Sequence, residues 1–174
     1  MVNALGITLE EYRDTQNGYL NTLEKSTDFL PVKYLRHIAH TYSYPFQKLH
    51  DIYYNPELFR ASLYPDTIPA LDKLKLKNTL GIYSEGNHDF QITKLKLSGI
   101  FDYFDPNFIF IHRRKIDPVI ISSLPENTTI VDDRTDVIDS LSQYANLSLV
   151  WLNRKDNSQH PFIQTVNILT SLTL

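Results

Sequence analysis

The 174-residue chain contains no cysteine, which excludes disulfides, thiolate-bound zinc and a cysteine nucleophile. It also lacks a basic surplus. Seventeen Lys and Arg stand against twenty Asp and Glu, a net charge of −3, which argues against a nucleic acid or an anionic membrane recognised through bulk charge. No apolar run approaches the length that crosses a bilayer, and Met1 is not followed by a basic and then apolar leader. The expectation is a cytoplasmic protein with neither nucleic acid nor membrane as partner. Asn127-Thr128-Thr129 and Asn146-Leu147-Ser148 match the glycosylation pattern, but without an export signal the matches are coincidental. Repeats, linkers and low-complexity stretches are absent too, and the length suits one domain, or one domain with a small insert.

What is present changes texture at Asn78. Before it, the apolar residues recur at helical spacing. Thr8-Leu9-Glu10-Glu11 is a capping box, and Leu9, Tyr12, Tyr19, Leu20 and Leu23 predict a helix over Leu9 to Lys25, weakened by Gly18. Pro31 opens a second helix through Val32, Leu35, Ile38 and Ala39, Pro45 a third, and Asn55-Pro56 caps a fourth. Asp66 to Leu76 completes the helical part. After Asn78, strands alternate with helices, the signature of a parallel sheet. Strands are expected at Thr79 to Tyr83, Phe108 to Ile111, Thr129 to Val131 and Leu147 to Trp151, with a closing helical segment through Val166, Ile168, Leu169 and Leu172.

Three polar features fall at the carboxyl ends of successive strands: Ser84, then Lys115, then Asp132 with Asp133 and Asp136. In an open α/β sheet that edge binds ligands, and carboxylates crowded there repel one another unless a proton or cation intervenes. Mg²⁺ suits them, since it takes oxygen ligands and keeps waters and a substrate phosphate in its shell. A hydroxyl and an ammonium hold phosphate oxygens, so the set reads as a phosphoryl-transfer site lacking its nucleophile. Each feature alone has a plainer reading. A Ser after a strand is usually a cap, a Lys in Arg113-Arg114-Lys115 a solvated cluster, and an Asp near a helix start a partner of the macrodipole. His37 and His40 share a helical face, but no third ligand accompanies them.

The order of these motifs resembles the haloacid dehalogenase (HAD) superfamily of hydrolases, mostly phosphatases, from about Leu63 to Asn153. GIYSEGN is similar to the family's second motif, which makes Ser84 the phosphate-binding hydroxyl. HRRKIDP is similar to the third, with Lys115 the lysine that pairs with nucleophile and phosphate. VDDRTDVIDS is similar to the fourth, with Asp132, Asp133 and Asp136, in that order, as metal ligands. Val131 stands where many members have Gly, a departure also met in the family's variants with two adjacent Asp. The resemblance implies a three-layer Rossmann-like α/β core over residues 64–174 and an N-terminal helical cap over 1–63. It also implies Mg²⁺ as cofactor and a small phosphorylated molecule as substrate. A receiver domain uses similar groups, but carries its acidic pair ahead of the Ser/Thr and Lys.

The family's first strand, ending in an Asp-x-Asp whose first Asp attacks phosphorus, has no counterpart here. Asp14 and Asp28 lack a preceding strand, and neither takes the nucleophile role. The chain as it stands is therefore expected to be inactive or nearly so. It reads as an aspartyl-phosphate-forming phosphatase without its nucleophile segment, or as an inactive module that binds phosphate or a protein partner. In the family's sheet the first strand lies between the Ser strand and the acidic strand. Its omission leaves open edges that direct pairing of those two strands, Val2 to Ile7, or self-association with another chain could fill, unless the fold is marginally stable.

Overall fold

The computed structural model describes residues 1–25 and 28–173. Two compact units divide the chain: Met1–Leu63, Ser84–Asp102 and Ile111–Arg113 form the first, and Tyr64–Tyr83, Tyr103–Phe110 and Arg114–Leu174 the second.

The first unit begins with α1 (Val2–Leu5), which stops at Gly6 in the left-handed region, φ 68°. Helix α2 (Leu9–Leu20) starts from the predicted capping box: the Thr8 hydroxyl accepts from the Glu11 amide at 3.2 Å, and the Glu11 carboxylate accepts from the Thr8 amide at 2.7 Å. It ends at Leu20, one turn short of the expected Lys25. Helices α3 (Pro31–Thr41) and α4 (Phe46–Tyr53) turn Tyr34, Leu35, Ile38 and Leu49 inward onto Tyr19. The short α5 (Pro56–Ala61) packs on α7 (His88–Leu97). Asn87 caps α7 by accepting from the Phe90 amide at 2.9 Å, which sets Phe90 6.3 Å from Phe29 and 6.4 Å from Tyr53, ring centre to ring centre.

The second unit is built on β3 (Thr128–Asp132), β4 (Leu147–Leu152) and β5 (Gln164–Val166), a parallel sheet in the order β3-β4-β5 with Ile130 opposite Leu149 and Val150 opposite Gln164. Successive side chains of a strand point to opposite faces. Ile130, Leu147 and Leu149 accordingly join Ile121 of α8 (Pro118–Ser122) and Val137 and Leu141 of α9 (Thr135–Leu141). Val131, Val150, Leu152 and Val166 face the other way, onto Leu74 of α6 (Thr67–Leu74), Leu169 and Leu172. Helix–sheet–helix layering follows, with both strand faces covered, as near-continuous apolar strands require. Lys73 fastens α6 by donating to the carbonyls of Thr170 and Leu172, at 3.1 and 2.9 Å.

Two expectations are corrected. The closing segment is not a helix: β5 and a 3₁₀ turn at Leu169–Ser171 replace it, because pairing with the open edge of β4 overrides the helical spacing. Val2 to Ile7 fills no gap in the sheet, since Val2–Leu5 is helical. Strands β1 (Ile82–Glu85) and β2 (Ile109–His112) pair with each other in a separate two-stranded sheet. Among the described residues, therefore, the Ser strand and the acidic strand do not pair, and β3 has β4 as its only strand partner. No helix among these residues is long and apolar enough to cross a membrane.

Candidate functional site

At the carboxyl end of β3 the chain turns sharply into α9. Asp132 makes that turn: its Oδ1 accepts from the Arg134 amide at 2.9 Å, the local bond by which Asp favours turns. Its other oxygen accepts from the Lys115 ammonium. Both partners are withdrawn from solvent, Lys115 being 6% exposed and Asp132 9%. An ion pair so placed persists only when the geometry is good and the remaining lone pairs are satisfied. Asp132 meets that condition with its second bond.

Lys115 is held from behind. The Tyr83 hydroxyl, one residue before Ser84 in β1, donates to the Lys115 carbonyl, and the Tyr83 ring centre lies 5.4 Å from Nζ. Asp117 caps α8 by accepting from the Val119 amide at 2.9 Å, which anchors the segment beyond. Of the basic run, Lys115 alone is buried. Arg113 is exposed and binds Asp28 at 2.8 Å in the first unit. The solvated-cluster reading thus fails for Lys115.

The remaining acidic candidates are placed differently. Asp133 is exposed, its carbonyl accepting from the Trp151 indole at 3.2 Å. Asp136 is exposed and clamped by Arg134, with contacts of 3.1 and 2.6 Å. That hydrogen-bonded guanidinium holds its carboxyl below the ordinary range, against a smaller opposing effect of burial. Among the described residues no group of three or more His, Cys, Asp or Glu converges as a metal's ligands would. Structure thus brings Lys115 and Asp132 together and gives Asp136 to Arg134. Ser84 belongs to the first unit, half-buried in β1 ahead of Glu85, Gly86 and Asn87.

The acidic turn fits Mg²⁺ in donor chemistry. This ion takes oxygen donors, the residue type of Asp132 and Asp133, but both Asp132 oxygens are engaged in this structure, one by the Arg134 amide and one by the Lys115 ammonium. A cation reaching Asp132 competes with Lys115 for the same oxygen.

Sequence reasoning missed Tyr83 as the brace of Lys115; its only signal was an aromatic directly before the Ser of the second motif. It also missed Asn153, buried at the end of β4, whose amide donates to Asp156 at 2.7 Å and to Ser158 at 3.0 Å. Asp156 accepts from the Ser158 hydroxyl, the Asn153 amide and the Ser158 backbone amide, and these bonds, in that order, bring its carboxyl down to about 2.

No protein-family model and no curated protein matches the chain. Solved structures do. A HAD phosphatase from Thermococcus onnurineus superposes with a TM-score of 0.59 at 23% identity, over 97% of this chain and 80% of that one. A putative haloacid dehalogenase-like hydrolase from Burkholderia xenovorans LB400 superposes with a TM-score of 0.63 at 19% identity, over 92% of this chain and 78% of that one.

Proposed function

The chain has a HAD-like α/β fold, and on that premise we propose that it is the phosphate- and cation-binding part of a Mg²⁺-dependent phosphomonoester hydrolase. The observation that carries this reading is the buried Lys115–Asp132 pair at the carboxyl end of β3. A buried ion pair is weak evidence for stability, and its place at the ligand-binding edge of a parallel sheet favours function. Lys115 supplies a positive charge for phosphate oxygens, and Asp132, with Asp133, supplies oxygens for the cation. Bound Mg²⁺ would neutralise phosphate charge. Ser84 is carried as the phosphate-binding hydroxyl on its motif alone. Asp136, tied to Arg134, orients the turn and is a weaker candidate ligand.

By this reading the 174 residues bind but do not turn over a generic phosphomonoester, since the aspartyl-phosphate route needs a carboxylate the motifs here do not supply. The test is a Mg²⁺ titration followed by chemical shifts and melting temperature, with inorganic phosphate as second ligand. Stabilisation that Asp132→Asn removes is expected. Identical behaviour of variant and parent, at Mg²⁺ well above millimolar, would count against the site. Robust hydrolysis by this chain, lost in Asp132→Asn, would overturn the inactivity.

A second reading is an inactive module that binds phosphate or a protein partner, and it rests on β3 having β4 as its only strand partner among the described residues. An open parallel edge is a template for another chain, so self-association through this edge is proposed, measurable by sedimentation equilibrium. A cytoplasmic location belongs to the same proposal.

A further inference from the structure

Trp151, the single tryptophan of the chain, carries no charge and stands in none of the motifs, yet the fold sets it at the acidic turn. Asp132 and Trp151 are register partners in the parallel pairing of β3 with β4. Side chains alternate along a strand, and partners in register share a face. The indole therefore leaves the sheet beside the Asp132 side chain, on the face that Ile130 and Leu149 give to α8 and α9. From there its Nε1–H donates to the Asp133 carbonyl at 3.2 Å.

That carbonyl belongs to the same peptide group as the Arg134 N–H, which donates to Asp132 Oδ1 at 2.9 Å. A peptide group is planar and resists twisting, so holding its oxygen holds the direction of its N–H. Hydrogen bonds in series also polarise one another, and a carbonyl that accepts makes its own amide a stronger donor. The series here runs from the indole to the peptide, from the peptide to the Asp132 carboxylate, and from that carboxylate to the Lys115 ammonium. With Oδ1 committed to the Arg134 amide, the other oxygen is the one turned to Lys115.

The indole is itself braced. His160 packs against it edge-on, with ring centres 6.5 Å apart and planes at 76°. Both nitrogens of that imidazole are engaged: Nε2 lies 2.9 Å from the Asp139 carboxylate, and Nδ1 accepts from the Phe162 amide at 3.3 Å. The His160 side chain is 11% exposed. Asp139 lies on α9, so the helix that begins at the acidic turn also holds the ring that supports it.

We propose that Trp151 is a positioning residue of the acidic turn: through the Asp133–Arg134 peptide it keeps the Asp132 carboxylate turned with one oxygen toward Lys115 and toward a divalent cation that competes for it. This rests on the reading of Asp132 as a cation ligand.

A single tryptophan allows a change of one group at this position alone. Benzothienylalanine puts sulfur in place of the indole N–H at nearly the same volume, and 7-azatryptophan keeps the N–H in an altered ring. The full chain carrying either is compared with the parent by amide chemical shifts, amide exchange and a titration with Mg²⁺ alone. Benzothienylalanine is expected to move the Arg134 amide proton upfield while the Ile130 and Val150 amides of the β3–β4 ladder stay in place. Mg²⁺ affinity should fall about three- to tenfold, the contribution of one hydrogen bond, and 7-azatryptophan should restore both readouts. Trp151→Phe, which keeps a ring without the N–H, should repeat the loss. Mg²⁺ bound alike by the parent and the benzothienylalanine chain would overturn the inference and leave the cation reading standing, as would a loss that 7-azatryptophan shares, since ring shape would then be what acts. No response of the parent to Mg²⁺ would sink the cation reading, and the inference with it.

Discussion

Separating the two charges of the Lys115–Asp132 pair should be far more damaging than removing both. Their side chains are 7% and 8% exposed. Asp132→Asn keeps an oxygen for the Arg134 amide but leaves the Lys115 ammonium facing only an amide and the Tyr83 ring at 5.4 Å. A cation over a ring recovers about 0.5–2 kcal/mol, less than the several kcal/mol that desolvating an ion costs. Lys115→Met, the converse, leaves a buried carboxylate holding one backbone amide. Each single variant is therefore expected to lose about 3–5 kcal/mol, a large share of the roughly 5–15 kcal/mol that keeps a domain folded. The double variant Lys115→Met/Asp132→Asn retains no buried charge and should cost at least about 2 kcal/mol less than the sum of the two, because paired removal of buried ions is often nearly neutral. Urea unfolding followed by far-UV circular dichroism measures all four corners of the cycle. Additive losses, or single variants within about 1 kcal/mol of the parent as for exposed pairs, would refute the claim that these charges depend on each other.

Three further outcomes follow from individual contacts. Gly81→Ala places a Cβ 2.6 Å from the Phe108 carbonyl oxygen and 3.0 Å from its Cβ, so the entry to β1 must shift, at about 1–3 kcal/mol in chemical denaturation; an unchanged midpoint would show that this approach is loose. Asn87→Ala removes the cap of α7 and should cost about 0.5–2 kcal/mol, with faster amide exchange at Phe90, whereas Asn87→Ser should restore most of it. Stability should fall on acidification: burial, the largest single effect on Asp66, raises it but is outweighed by the hydrogen bonds and charge of Arg154 with the backbone amides of Leu169 and Asp66, so that Asp66 is lowered, Arg134 lowers Asp136, and Ser158 lowers Asp156 to about 2, all from an ordinary 3.8. Groups depressed on folding contribute fully above that ordinary value and lose the contribution as pH drops through the lowered one. Urea midpoints between pH 6 and about pH 2 check this, and Asp66→Asn should flatten part of the slope.

The local grammar of the chain was legible because it is written in nearest neighbours. The Thr8 to Glu11 capping box, Pro31 at a helix start, the Asn55 cap and the apolar runs of β3 and β4 are all decided by residues a few positions apart, and they form where periodicity and capping place them. The alternation of strand and helix after Asn78 was likewise sufficient for a parallel α/β arrangement, since both faces of a near-continuous apolar strand must be covered. Contacts distant in sequence were not legible. Val166 carries the same helical spacing as its neighbours, yet it lies in a strand because the edge of β4 offers backbone partners, which no local pattern announces. Lys115 in a run of three cations looks solvated; only the folding of β2, α8 and β3 around it exchanges water for Asp132 and for the Tyr83 brace. Only the motif they resemble ranks Asp132, Asp133 and Asp136 in the sequence, and no letter shows that the turn buries the first and leaves the others in solvent, one of them on Arg134. The sequence by itself determined which residues are chemically able to act, because that depends on side-chain type and strand order. Tertiary structure alone decided which of them are desolvated and paired, because burial and charge compensation depend on the whole chain at once.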